Sequence, residues 1–222
     1  MPANNEIPPV VAEADTPENL VKSKQRVAEH GEVFTPSWMV DEMLNLVQNE
    51  CERVDSRFLE PACGSGNFLI AVFKRKLNTV EVRYGKSDFE KRNNALFSLM
   101  CIYGIELLLD NVNECRSNLL TLFCKFLDID SEDIWGKAAS NVLSANIVQG
   151  DALTLTTSSE EPIIFPEWGY LGSGKFQRRD FLFDALTKRA SFEGTLFEVL
   201  EEHDLFIPIK TYSVMKVEEI AK

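Results

Sequence analysis

The sequence predicts an α/β domain built on a mostly parallel sheet, with helices on both faces and further helices ahead of it. Short apolar runs alternate with amphipathic helical stretches, the order from which parallel sheets are made. The first run leads into a glycine turn, Gly64-Ser65-Gly66, and then into a helical stretch, which builds a nucleotide-sized pocket at the carboxyl end of a parallel strand. Three of the runs also end on acids, Glu60, Glu106 and Asp151.

Residues 1–16 are polar, acidic and proline-containing and read as a disordered arm. Thr16 and Pro17 predict a helix over about 17–29, as N-cap and first residue. Thr35 or Ser37 caps a second helix from Trp38 to about Asn49, whose apolar side carries Met39, Val40, Met43, Leu44 and Val47. These make a helical segment over 17–50. The core, 51–170, then runs through a strand at Arg57-Phe58-Leu59, a helix over 67–77 and another over about 88–99. A second strand, Cys101 to Glu106, precedes a long helix from about Leu108 to Leu127 and an acidic turn. Asn146-Ile147-Val148-Gln149 reads as a third strand and Ile163-Ile164-Phe165 as a fourth. In the extension over 171–222, Leu205-Phe206-Ile207 is strand-like, and an acidic helix is expected near Thr195–Glu202.

At 222 residues and 45% hydrophobic, the chain can bury one core, or a core plus a small appendage. No apolar run approaches a membrane span, and Met-Pro-Ala-Asn-Asn-Glu does not read as a signal peptide. Five cysteines without Cys-x-x-Cys spacing read as buried thiols in a reducing cytoplasm, with neither a metal site nor a disulfide framework. The net charge of −12 repels nucleic acid at long range. Lys175, Arg178, Arg179, Lys188 and Arg189 form one basic cluster, readable as a phosphate-facing patch or as a solvated helix face.

The spacing around Gly64 lacks both the phosphate-loop lysine and a Gly-x-Gly-x-x-Gly fingerprint. Glycines there let the backbone approach a ligand closely, and carboxylates at strand ends can accept ribose hydroxyls or an exocyclic amine. Taken singly, Glu106 or Asp151 reads equally well as an acid favouring a helix N-terminus.

The string Glu60-Pro61-Ala62-Cys63-Gly64-Ser65-Gly66-Asn67-Phe68 resembles the first motif of S-adenosylmethionine-dependent methyltransferases, most closely the N6-adenine DNA methyltransferases of restriction–modification systems. Tyr103-Gly104-Ile105-Glu106-Leu107 is similar to the second motif and Gln149-Gly150-Asp151-Ala152 to the third. Phe34-Thr35-Pro36 resembles the upstream element of that family. The resemblance implies a Rossmann-like class I methyltransferase core, truncated in its C-terminal half, and S-adenosyl-L-methionine as cofactor. It implies that Glu106 takes the ribose, Asp151 the adenine amine, and Phe34-Thr35-Pro36 the methionine end. DNA, reached through a partner chain, restriction-system subunits or a second copy are the implied partners.

The family's Asn-Pro-Pro-Tyr loop, which holds the target amine and stacks on a flipped base, is absent. Its place falls on Ile163-Ile164-Phe165-Pro166-Glu167-Trp168-Gly169-Tyr170. Two readings stand: Glu167 accepts from the amine while Trp168 or Tyr170 stacks on the base, or the aromatics only pack. The expected function is an adenine-N6 DNA methyltransferase; the alternative is a catalytically degenerate cofactor-binding subunit of a restriction or defence complex.

Overall fold

The computed structural model describes residues 20–184 and 207–222, and the chain divides into two compact units, Met1–Pro36 and Ser37–Lys222. In the first, helix α1 (Lys24–His30) begins where the Ser23 hydroxyl accepts from the Arg26 N–H at 3.1 Å. It ends where Gly31 takes φ 64° and donates to the carbonyls of Arg26 and Val27. The helix thus starts later than the predicted Thr16 cap, which lies outside the described residues. The Arg26 guanidinium pairs with Glu32, with one bond of 2.9 Å, and the Phe34 N–H bonds the Leu20 carbonyl at 2.8 Å.

The second unit opens with α2 (Ser37–Leu46) and α3 (Gln48–Cys51), where one continuous helix was predicted. Strand β1 (Phe58–Glu60) leads into α4 (Asn67–Tyr84), followed by α5 (Asp88–Met100). Ser87 caps α5 through its hydroxyl, and Asp88 and Glu90 sit in its first turn, where acids complement the helix dipole. After β2 (Ile102–Glu106) come α6 (Leu109–Leu127), α7 (Ile134–Asn146), β3 (Ile147–Asp151) and the short β4 (Thr156–Thr157). The sequence predicts only an acidic turn where α7 stands; Asp133 in that turn caps it, accepting from the Trp135 N–H at 2.8 Å.

The sheet has the order β1-β2-β3-β4, parallel across β1, β2 and β3, with β4 antiparallel to β3. Glu60 lies level with Gly104 and Glu106 with Gln149, so each of the next two strands runs two residues past its neighbour and all three end toward one edge in a stagger. Residues Ile102 to Ile105 are all buried, as expected of a parallel strand covered on both faces.

What covers those faces departs from expectation. The main core joins α2 through α7 around Ile102 and Ile147. Tyr103 and Ile105, which alternate to the other face of β2, join Ile163, Phe165 and Phe183 in a smaller cluster. There the cover is a β-hairpin. Strands β5 (Ile164–Tyr170) and β6 (Phe176–Leu182) pair antiparallel, and β7 (Lys210–Thr211) adds to β6 in a separate three-stranded sheet. A parallel fourth strand would need a crossover of a dozen or more residues. Here β4 instead reverses the chain at once, with Ile163 N–H bonded to the Leu155 carbonyl at 2.9 Å. Pro166 fits because even-numbered β5 residues turn their main chain away from β6, where no N–H is needed. Its carbonyl accepts from the Tyr103 hydroxyl at 2.8 Å. A last short helix, α8 (Val217–Ile220), packs on α7. The predicted helix near Thr195–Glu202 and most of the strand at Leu205-Phe206-Ile207 lie outside the described residues.

Candidate functional site

The carboxyl edge of the parallel strands gathers the glycine turn and the three acids. β1 delivers Glu60, whose Oε1 accepts from the Ala62 N–H at 3.3 Å and shapes the turn after it. Cys63 stays tied to the sheet through its N–H to the Ile105 carbonyl, 3.0 Å, and Gly66 N–H closes on the Cys63 carbonyl at 2.8 Å. Gly66 is the N-cap of α4 with φ 96°, and a Cβ there would stand 2.7 Å from the Cys115 Sγ. Both the left-handed backbone and this contact require glycine. Pro61, Ala62 and Asn67 are exposed on the turn, whereas Cys63 is buried and Phe68 packs partly into the core.

Glu106 links this turn to β2. Its Oε2 accepts from the Gly64 N–H and its Oε1 from the Leu108 N–H, both at 2.9 Å, with the Asn111 amide at 3.5 Å. The carboxylate is held chiefly by main-chain donors and keeps an open acceptor position on Oε2. Leu107, next to it, is 57% exposed, and its carbonyl accepts from the Gln149 side chain at 3.1 Å. At the end of β3, Asp151 Oδ1 accepts from the Leu153 N–H at 2.7 Å; Ala152 is half-buried, and Leu153 is 93% exposed. Carboxylates, main-chain amides and bare leucines thus share one strand-end edge, a donor set suited to a ligand with a diol, an amine and a flat ring.

Helix α6 supplies residues that motif reading missed. Asn118 donates to the Ser65 carbonyl at 3.1 Å, Cys115 packs under Gly66, and Asn111 reaches Glu106. They recur at i, i+4 and i+7 on one helix face. Polar residues on an otherwise buried face were the available signal, since Asn111 is 1% exposed. The Cys115 thiol, with burial, pushes the Cys63 thiol far above its usual range, so Cys63 stays protonated. Among the described residues no cluster of three or more His, Cys, Asp or Glu is suited to a metal.

A family model, the MmeI DNA-methyltransferase domain, matches residues 37–158, more than half of the chain. The chain belongs to this family. The matched span runs from α2 through β4, contains Glu60, Glu106 and Asp151, and stops short of β5. A curated relative, the type II restriction enzyme and methyltransferase RM.Eco57I of Escherichia coli, is 28% identical over 157 residues, covering 60% of this chain. The chain spans only 15% of that relative's length. No solved structure matches.

Of the residues considered in this MmeI-family domain for target chemistry, none joins the carboxyl edge. Glu167 is held between Arg57, at 3.0 Å, and Arg179. Arg57 immediately precedes β1, at the amino end of the sheet. Trp168 is 3% exposed, and its Nε1–H donates to Asn146 Oδ1 at 3.0 Å, just ahead of β3. Tyr170 packs between Phe97 and Phe176. Crossing the sheet, β5 carries these three residues to the edge opposite the glycine turn. Phe34, Thr35 and Pro36 belong to the first unit and precede the matched span. No helix among the described residues is long and apolar enough to cross a membrane.

Proposed function

We propose that this MmeI-family domain binds S-adenosyl-L-methionine at the carboxyl edge of its parallel sheet and acts as the cofactor-binding part of an adenine-N6 DNA methyltransferase in a restriction–modification system. The observation that carries the reading is the bond from the Gly64 N–H to Glu106, which holds the glycine turn and the carboxylate as one preformed unit. In this reading Glu106 accepts the ribose hydroxyls, Asp151 the adenine amine, and Leu107 and Ala152 flank the ring. Glu60 and the turn Pro61–Phe68 receive the methionine end. The bound cofactor would supply a methyl group on a positively charged sulfur; the chain's residues orient it and shield it from water.

A second reading, a cofactor-binding subunit without target chemistry of its own, is favoured by the engagement of Glu167, Trp168 and Tyr170 at the opposite sheet edge. In that reading the base-holding groups and DNA contacts come from a partner chain, and the setting is the cytoplasm.

Calorimetric titration with S-adenosyl-L-methionine tests the common part. One cofactor per chain is expected, and Glu106→Ala should weaken it at least about tenfold, since hydrogen bonds to a charged group contribute about 1.5–3 kcal/mol. Unchanged binding by this variant would remove the ribose assignment. Methyl transfer to DNA by the chain alone would decide for the enzyme over the subunit.

A further inference from the structure

Helix α2 carries more apolar surface than its own fold uses. Val40 and Leu44 are buried, at 2% and 0% exposure, and anchor it on the core. Met39, Met43 and Leu46 are 39%, 48% and 86% exposed. Their spacing of i, i+4 and i+7 lines them along the helix axis as a ridge beside the buried pair. Glu42 is exposed and borders this ridge on the flank where Asp41 and Asn45 meet Arg75.

We propose that this ridge is a docking surface for an amphipathic, basic helix of another polypeptide. A ridge of side chains at helical spacing is complementary to the groove between side-chain rows of a second helix. Two methionines supply the adaptable, polarisable surface suited to a helical ligand. Charge selects the occupant. The chain carries −12, and Glu42 flanks the ridge, so a cationic helix is attracted and positioned. A second copy of the chain would bring −12 against −12 and is repelled. The inference does not depend on cofactor binding.

The probe is a synthetic amphipathic peptide about four turns long, with leucines on one face and lysines beside them. Its control has the same composition in an order that abolishes the apolar face. Binding to the full chain is read by calorimetry and by emission from Trp38, 63% exposed at the start of α2. At physiological salt the amphipathic peptide should bind at least tenfold more tightly than its control. Met43→Gln with Leu46→Gln should remove that advantage while leaving the melting temperature and circular dichroism unchanged. Equal binding of the two peptides, or no binding of either, overturns the proposal; this comparison uses the unaltered chain and stands even if the double variant misfolds. Dimerisation of the unaltered chain in sedimentation, lost in the double variant, would assign the ridge to a second copy and also overturn it.

Discussion

At Gly66 one missing methyl decides whether the turn can form. Its φ of 96° strains any L side chain, and the Cys115 Sγ occupies the place a Cβ would take. Gly66→Ala should therefore cost about 1–3 kcal/mol, from backbone strain and overpacking together. Adding Cys115→Ala relieves the contact but leaves the strain, so the double variant should recover only part of the loss. Thermal denaturation of the two single variants and the double variant forms a cycle that separates the two contributions. Full recovery in the double variant would mean that the left-handed backbone costs nothing there. Cofactor affinity should fall in both variants that carry the Gly66→Ala change, because the Gly64 N–H and Glu106 are held in register by this turn.

At the scale of the element, Lys76 organises the entry to β1. It is fully buried on α4, and its ammonium donates to the carbonyls of Arg53, Val54 and Ser56 at 2.7, 3.2 and 2.6 Å. Lys76→Met leaves three inward carbonyls without their donor and should destabilise the chain by roughly 2–4 kcal/mol. Burial lowers the Lys76 pKa to about 8, so the group is charged at neutral pH. Between about 8 and the ordinary value of 10.5 the unfolded chain binds more protons here than the folded one. This group's contribution therefore rises as pH increases through that window, and the cost of burying its charge is present in full below it. The melting-temperature advantage of the unaltered chain over Lys76→Met should widen from pH 7 to pH 10; a constant or shrinking difference would contradict the burial argument.

The elements legible in the sequence were those whose signals are local. The strands at 58–60, 102–106 and 147–151 and the turn between the first strand and its helix show themselves through apolar runs, glycines and terminal acids. Helix α7 was hidden because Gly136, Ser140, Asn141 and Ser144 are weak helix formers. Gly136 is there because a Cβ would lie 2.5 Å from the Ser131 carbonyl oxygen, in the turn that folds back on the start of the helix. The placing of Trp168 was hidden for a tertiary cause: its partner, Asn146, also caps the carbonyls of Met100 and Ile102, and nothing near residue 168 announces it. Of the candidate site, the acids and the turn could be read as a motif. The α6 side chains that hold them become visible only once the helix is packed.

At the scale of the whole molecule, charge and ion pairing bear on nucleic acid more than motif does. The cationic groups beside the hairpin are engaged: Arg178 pairs with Asp180 and lies over Trp168 and Tyr212, while Arg57 and Arg179 flank Glu167. Of the basic cluster noted in the sequence, Arg178 and Arg179 stand on a strand, and Lys188 and Arg189 lie outside the described residues. Phosphate binding would require these arginines to exchange their carboxylates for DNA, against the field of a chain at −12. Proteins that bind DNA non-specifically do so with Kd of about 10⁻⁴–10⁻⁶ M at physiological salt. Isolated and saturated with S-adenosyl-L-methionine, this chain should fall at or beyond the weak end of that range. Fluorescence anisotropy of a labelled duplex, titrated at two salt concentrations, measures it. Tight binding that fell steeply with salt would show free cationic contacts and place DNA recognition on this chain. Weak binding at both salts would leave recognition to a partner, whose basic surface an acidic cofactor-binding subunit is well charged to receive.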